Sequence, residues 1–244
     1  MLTVDSVVKS FGRRTAVDRV SFDLAHGEVL GFLGPNGAGK TTVMRMIAGR
    51  LEPDSGRVRV HSHDMAGNRR AGQALIGYLP EGAPAYRRMT PSEFVSFCLM
   101  ARGHSGADMR IRRDLALERA RLGGEAHQQI GTLSKGFKRR AALAAAIAHD
   151  PPLLVLDEPT DGLDPNQKHD VRALIREMAS DKAIIVSTHI LEEVPAVCSR
   201  VILIDQGQTL VDEGPDEFVA RSRTGRLDDA FRNLTRQTIT GVLE

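Results

Sequence analysis

A chain of 244 residues, 41% hydrophobic and 26% charged, is long enough to bury a sizeable core without disulfides or metals. Its two cysteines, Cys98 and Cys198, lie far apart and form no CxxC, which argues against a disulfide framework or thiolate zinc site and fits a reducing compartment. Aromatics at 4%, with no Trp, argue against base-stacking nucleic-acid modules, and a net charge of +2 is too mild for a nucleic-acid footprint.

No basic leader followed by an apolar stretch opens the sequence. The longest apolar runs, such as Ala141 to Ala148, fall far short of the roughly 20 residues that cross a bilayer, so a soluble chain is expected. Residues 1–8 and 17–24 alternate apolar and polar side chains, which predicts half-buried antiparallel strands. Val29-Leu30-Gly31-Phe32-Leu33 is unbroken apolar sequence, as in a fully buried strand. A Gly-rich turn follows, then a helix from about Lys40 to Ala48 that stops at Gly49. Residues 57–60 and 75–79 read as further strands.

From Pro91 to His149 the pattern is helical, ending in the Ala-rich segment Arg139 to Ala148. Strand character returns at 153–156, 183–187 and 201–204. Between the first two of these, Asp164-Pro165 reads as the N-cap and first position of a helix that runs to about Met178. Strands alternating with helices predict an α/β fold: a mainly parallel sheet, interrupted by an all-helical insertion from about residue 85 to 150. The last twenty-odd residues are polar and expected to be helical.

Gly34-Pro35-Asn36-Gly37-Ala38-Gly39-Lys40-Thr41 matches G-x-x-x-x-G-K-[ST] at every fixed position, with a buried strand before it and a helix after. Glycines let backbone N–H groups turn inward at an anion, and the following helix adds its positive end. Lys40 is placed to reach the β- and γ-phosphates, and Thr41 to put a hydroxyl on Mg²⁺. Only six of the 33 basic residues are lysines, so a chance lysine in this slot is improbable. Leu153-Leu154-Val155-Leu156-Asp157-Glu158 places two carboxylates at the end of an apolar strand. Asp157 suits Mg²⁺, and Glu158 suits proton abstraction from an attacking water, a role worth about 10²–10⁴-fold. His189, at the end of another apolar strand, suits a hydrogen bond to the γ-phosphate, although a lone His is more often structural.

Leu133-Ser134-Lys135-Gly136-Phe137-Lys138-Arg139-Arg140 then resembles the LSGGQ signature of ABC-transporter ATP-binding subunits, in the LSKG form of ABC-2-type exporters, with gliding-motility and copper-type ATPases among the similar branches. The resemblance spans roughly residues 1–220. It implies a RecA-like P-loop NTPase core with an N-terminal antiparallel β subdomain and the helical subdomain inserted at about 85–150; residues 221–244 form a C-terminal helical tail. It also implies that ATP with Mg²⁺ is bound between two subunits paired head to tail. Phe11 matches the aromatic that stacks on adenine. The loop from Gly34 through Thr42 matches the phosphate cradle, and Ser134 and Gly136 match the residues that cover the γ-phosphate held by the opposite subunit. Lys40, Glu158 and His189 match the catalytic set, and Asp161-Gly162-Leu163-Asp164 the loop by which subunits communicate.

The chain departs from the family pattern at three places. Glu81 stands where Gln is usual among the metal- and water-binding residues, Phe137 replaces the signature Gln, and Asp161 stands where Ser is common. Glu81 keeps an oxygen for Mg²⁺ or water, so the metal set by resemblance is Thr41, Asp157 and Glu81. The family's partners would be a second copy of this subunit and separate transmembrane permease subunits, with the chain peripheral to the inner face of the cell membrane and no nucleic acid bound. A soluble, non-transport ABC ATPase and a nucleotide-dependent regulator are the competing readings. The Phe94 to Met100 helix and the loop near Glu81 are either a docking groove or internal packing. Arg102, Arg110, Arg112, Arg113, Arg119 and Arg121 read as a solvated face. His61-Ser62-His63-Asp64, although of metal-binding residue types, reads as exposed.

Overall fold

The computed structural model describes residues 1–188, 191–222 and 224–240, the side chains through residue 235. Two antiparallel strands, β1 (Leu2–Phe11) and β2 (Arg14–Leu24), pair with Leu2 opposite Leu24, and β1 also pairs with β4 (Ser55–Val60). With the short β5 (His63–Asp64) they make a four-stranded sheet in the order β2-β1-β4-β5. A second, six-stranded sheet combines β3 (Val29–Leu33), β6 (Ile76–Leu79), β7 (Leu153–Asp157), β8 (Ala183–Ser187), β9 (Arg200–Asp205) and β10 (Gln208–Glu213) in the order β10-β9-β3-β8-β7-β6. All its pairings are parallel except the edge pair β9–β10.

The buried strands have no polar face because both faces are covered, as parallel sheets require. Successive side chains point to opposite faces, and the two cores divide the sequence accordingly. Leu30, Phe32, Leu153, Val155, Ile185, Ile202 and Ile204 join the antiparallel sheet and α1 (Lys40–Ile47). Val29, Leu33, Leu154, Leu156, Ile184, Val186, Val201 and Leu203 face the helical layer.

Between β5 and β6 lies the short α2 (Arg69–Ala74), and the helical insertion follows β6. Its first helix, α3 (Pro91–Ala101), has a complete capping box, Thr90 with Glu93, and proline at its first turn. It packs on α4 (Gly106–Arg119), and both pack on α5 (Lys135–Ile147). The alanines of α5 let it approach the sheet closely: a Cβ on Gly77 of β6 would lie 2.3 Å from the Ala146 carbonyl oxygen. The last helix of the insertion is therefore also a layer of the core. After β7 come α6 (Pro165–Met178), β8, a one-turn α7 (Val194–Val197) and the β9–β10 hairpin.

Of the elements that went unread in the sequence, which include β5 and α7, three show why. In β10 a bulge between Thr209 and Val211 breaks the two-residue period. In α2 there are six residues with Gly72 among them and no apolar face. The third, α8 (Pro215–Ala220), is equally short. The polar C-terminal stretch forms α9 (Leu227–Thr240), which does carry an apolar stripe: Leu227, Ala230, Phe231 and Leu234 pack against the helical-side core. Its contacts are α8 and the turn Leu191–Glu193. Among the described residues, no helix is long and apolar enough to cross a membrane.

Candidate nucleotide-binding site

Neighbouring parallel strands end at the same edge of a sheet, so β3, β8, β7 and β6 deliver their following residues side by side. Those residues are the Gly34–Thr41 loop, Thr188, the pair Asp157-Glu158, and Pro80-Glu81. His189 lies outside the described residues. One edge thus collects residues as distant in sequence as Gly34 and Thr188.

The loop after β3 is shaped by close backbone approach. At Gly34 (φ +154°) a Cβ would lie 2.2 Å from the Ile204 carbonyl oxygen, and at Gly39 (φ +111°) 2.5 Å from that of Ala16. The Gly207 N–H donates to the Ala38 carbonyl (2.9 Å), so the β9–β10 turn braces the loop from outside. Lys40 opens α1, buried at 7% exposure, and its Nζ donates to the carbonyls of Gly34 (2.6 Å) and Pro35 (3.0 Å). Burial holds its ammonium below the usual lysine range, while the charges of Glu158, Asp157 and Glu81 oppose that shift. Thr41 and Thr42 follow, half-buried in the first turn of α1, and Asn36 and Gly37 are exposed on the loop.

Asp157 is 1% exposed. Its Oδ1 accepts from the Ser187 hydroxyl at 2.5 Å, and its buried Oδ2 has no hydrogen-bond partner among the described residues. Glu158 adopts a left-handed backbone (φ +52°), uncommon for a side chain of its size. Ser187 holds that turn twice, because the Glu158 N–H reaches both the Ser187 carbonyl (3.2 Å) and hydroxyl (3.0 Å). Ser187 therefore places both acids, a role that nothing in its sequence context announced. A second such residue is Glu193, 5% exposed, which accepts from the Thr160 hydroxyl at 2.7 Å, tying the turn after Glu158 to the turn after β8.

These donors fit a magnesium nucleotide. One lysine faces three carboxylates, and a triphosphate entering that field needs a cation between like charges. No group of three His, Cys, Asp or Glu among the described residues could hold a metal alone. That suits Mg²⁺, which takes one or two carboxylates and completes its shell with waters and substrate phosphates. The unpartnered Oδ2 of Asp157 is an acceptor such a shell would satisfy.

Phe11 stands at the end of β1, 52% exposed, with Lys9 Nζ 5.9 Å from its ring centroid. Paired with Phe11 across the two-residue hairpin turn, Arg14 donates to the Gly37 carbonyl (3.2 Å), and a pocket lies between Arg14, Ala16, Asn36, Gly37 and Gln206. Phe11 does not line that pocket but belongs to the hairpin that borders it. Ser134 is the exposed N-cap of α5, accepting from the Phe137 N–H at 3.3 Å, and Gly136 is buried behind it.

The Phe94 to Met100 helix packs inward on one side and borders a groove on the other. Phe94, Val95 and Leu99 pack inward, while Phe97 and Met100 stay exposed. Phe94 and Phe97 border a groove that also takes in Tyr78, Pro80, Pro84 and Arg102. Arg102 stays exposed, as expected of a solvated face, while its guanidinium donates to the carbonyls of Gln73 (3.2 Å) and Ile76 (3.1 Å).

Fold and site together define a P-loop nucleotide-binding protein with a helical insertion between its phosphate loop and its acidic strand. The family model described as ABC transporter matches residues 17–161. The Nod factor export ATP-binding protein I of Paraburkholderia xenovorans (strain LB400) is 38% identical over 221 residues, covering 88% of this chain and 71% of that protein. The uncharacterized ABC transporter ATP-binding protein YxlF of Bacillus subtilis (strain 168) is 38% identical over 244 residues, 100% of this chain and 80% of that one. A solved ATP-binding subunit of an ABC transporter superposes with a TM-score of 0.86 at 28% identity, covering 96% of this chain and 99% of that one. The chain belongs to the ABC transporter family, as an ATP-binding subunit of the ABC ATPase type.

Proposed function

We propose that this chain powers an export complex by closing and opening as a head-to-tail pair around two ATP molecules. The observation that carries the reading is the convergence of Lys40, Asp157, Glu158 and Glu81 at one sheet edge, with one buried carboxylate oxygen of Asp157 unpartnered among the described residues. Lys40 exchanges its loop carbonyls for β- and γ-phosphate oxygens, and the loop N–H groups from Gly34 to Thr42 carry the rest of the phosphate charge. Thr41, Asp157 and Glu81 would hold Mg²⁺, directly or through water, and the ion when bound offsets charge on the phosphates. Glu158 accepts the proton of the attacking water. Ser187 clamps the backbone turn that carries it. His189 donates to the γ-phosphate, and Phe11 stacks on the base.

Ser134 and Gly136 of the second copy close over the γ-phosphate, a helix N-terminus being a ready anion site. Loss of that phosphate removes the contact, so the pair reopens; nucleotide shifts the equilibrium through its different affinity for the two states. Export is supported by the LSKG form of the signature and by the Nod factor export relative. Membrane-spanning subunits would then be separate chains, seated in the groove beside Phe97 and Tyr78, with this chain peripheral to the inner face of the membrane.

Glu158→Gln tests the reading. Phosphate release should fall at least about 100-fold, while ATP binding persists. Normal turnover by that variant would remove Glu158 from its role, and co-purification with ribosomes or DNA instead of an integral membrane protein would refute transport.

A further inference from the structure

The signature turn of a subunit faces its partner's nucleotide in the reading above, yet its firmest contacts are to its own acidic strand. Arg139 of α5 is 2% exposed, and its guanidinium donates to the Asp157 carbonyl (3.3 Å) and to Asp161 Oδ2 (3.4 Å). One turn earlier, Lys135 Nζ meets the same Asp161 oxygen at 2.8 Å. The Lys135 stem lies directly on the Gly162 backbone, where a Cβ would come within 2.5 Å of its Cδ. Gly136 presses on α6: a Cβ there would lie 2.3 Å from Gln167 Oε1 and 3.2 Å from Leu163 Cδ2. Asp161 in turn closes the turn that begins at Glu158, its N–H donating to the Glu158 carbonyl at 3.1 Å. A continuous path therefore runs from Glu158 through Asp161 to Lys135.

The outer pair joins Lys135, the lysine of the LSKG form, to Asp161, which stands where serine is common. We propose that Lys135 and Asp161 form a charge latch that couples the two nucleotide sites of the pair, reporting the state of a subunit's own Glu158 turn to the signature turn it offers its partner.

The two cations on Asp161 have different physical standing. Arg139 is buried and also bonded to backbone, so it is a fixed anchor; removing it would strand a carbonyl and disturb the strand end. Lys135 is 67% exposed and its partner 34%, a setting in which an ion pair is weak and screened by salt. Weakness suits a contact that must break and re-form in each cycle. Lys135 and Asp161 are thus positioning residues, acting through Ser134 and Gly136 on one side and through Glu158 on the other. The proposal rests on the head-to-tail reading, so its test must separate the two.

The experiment measures ATP hydrolysis against ATP concentration for the full chain and for Lys135→Ala, Asp161→Ala, their double variant, and the charge-conserving Lys135→Arg. Two coupled sites allow a Hill coefficient of up to about 2. The latch predicts a fall toward about 1 in each single alanine variant, with no further fall in the double variant and cooperativity kept in Lys135→Arg, which conserves the charge facing Asp161. Melting temperature serves as control, because a merely structural role would move it together with cooperativity. Added salt should mimic the single alanine variants in the wild type and leave them unchanged. Cooperative wild-type hydrolysis that survives in both single alanine variants, or single losses that add in the double variant, would overturn the latch alone. Non-cooperative wild-type hydrolysis, with Glu158→Gln failing to pair under Mg-ATP, would overturn the head-to-tail reading and the latch with it.

Discussion

The carboxyl edge of the six-stranded sheet and the surface where α5 meets α6 carry functional residues on opposite physical terms. At the sheet edge the acids leave strands whose every residue is buried, and Ser187 ties both to a neighbouring strand. At the α5–α6 surface Ser134 and Lys135 are exposed, and one of the polar links is a surface ion pair. Bond-breaking needs groups fixed to a fraction of an ångström, which a rigid, doubly covered sheet supplies. Communication needs contacts that exchange, which only a solvated surface permits at low cost.

That contrast can be broken most severely at Lys40. Lys40→Ala removes the cation that faces three carboxylates and should cut phosphate release by about 10²–10³-fold, with circular dichroism unchanged. Activity within about tenfold of wild type would show that the edge does not depend on its charge balance. The rigidity itself is probed by Leu154→Ala in β7, whose side chain is fully buried. Chemical denaturation should show a loss of about 2–5 kcal/mol, and a value under about 1 would mean the strand tolerates a cavity.

A third prediction concerns His149, which lines the groove beside Phe97. Burial, chiefly, pushes the His149 imidazole down to about 3, while Nε2 lies 3.2 Å from the Ile76 carbonyl. The fold thus prefers the neutral ring, whereas the unfolded chain protonates near the ordinary value of about 6.5. Its contribution is complete above about pH 6.5 and is lost as pH falls from there toward 3. Between pH 7 and pH 5 the unfolding free energy should drop by about 1–2 kcal/mol through this group, the lower figure allowing for its partial exposure. His149→Gln should flatten that slope. The smallest effects belong to the exposed side: Ser134→Ala should cost about 1 kcal/mol as a lost N-cap, and Arg113→Ala less than about 0.5, both read from denaturation midpoints.

Sequence order carried much of this molecule, unevenly. The buried strands β3, β7 and β8 were legible because unbroken apolar runs have few alternatives, and the phosphate loop because its glycines and Lys40 are tied to one backbone shape. What escaped was irregular, short or tertiary. A bulge hid β10, six residues with a glycine hid α2, and α8 was no longer. Ser187 and Glu193 were invisible as site residues, since a serine at a strand end or a glutamate in a turn announces nothing until its partners arrive from distant segments. The groove helix was ambiguous for a related reason: Phe94 and Phe97 look alike in sequence, and only packing shows which one is buried.

Shared pockets built from two copies are the central claim, and the mass of Glu158→Gln in solution tests it most directly. Light scattering after size exclusion should give the 26.6 kDa of a single chain without nucleotide and about twice that at saturating Mg-ATP. Adding Ser134→Arg to the same chain should return it to the single mass while ATP still binds. A Glu158→Gln protein that stays at 26.6 kDa with its nucleotide bound would contradict the account.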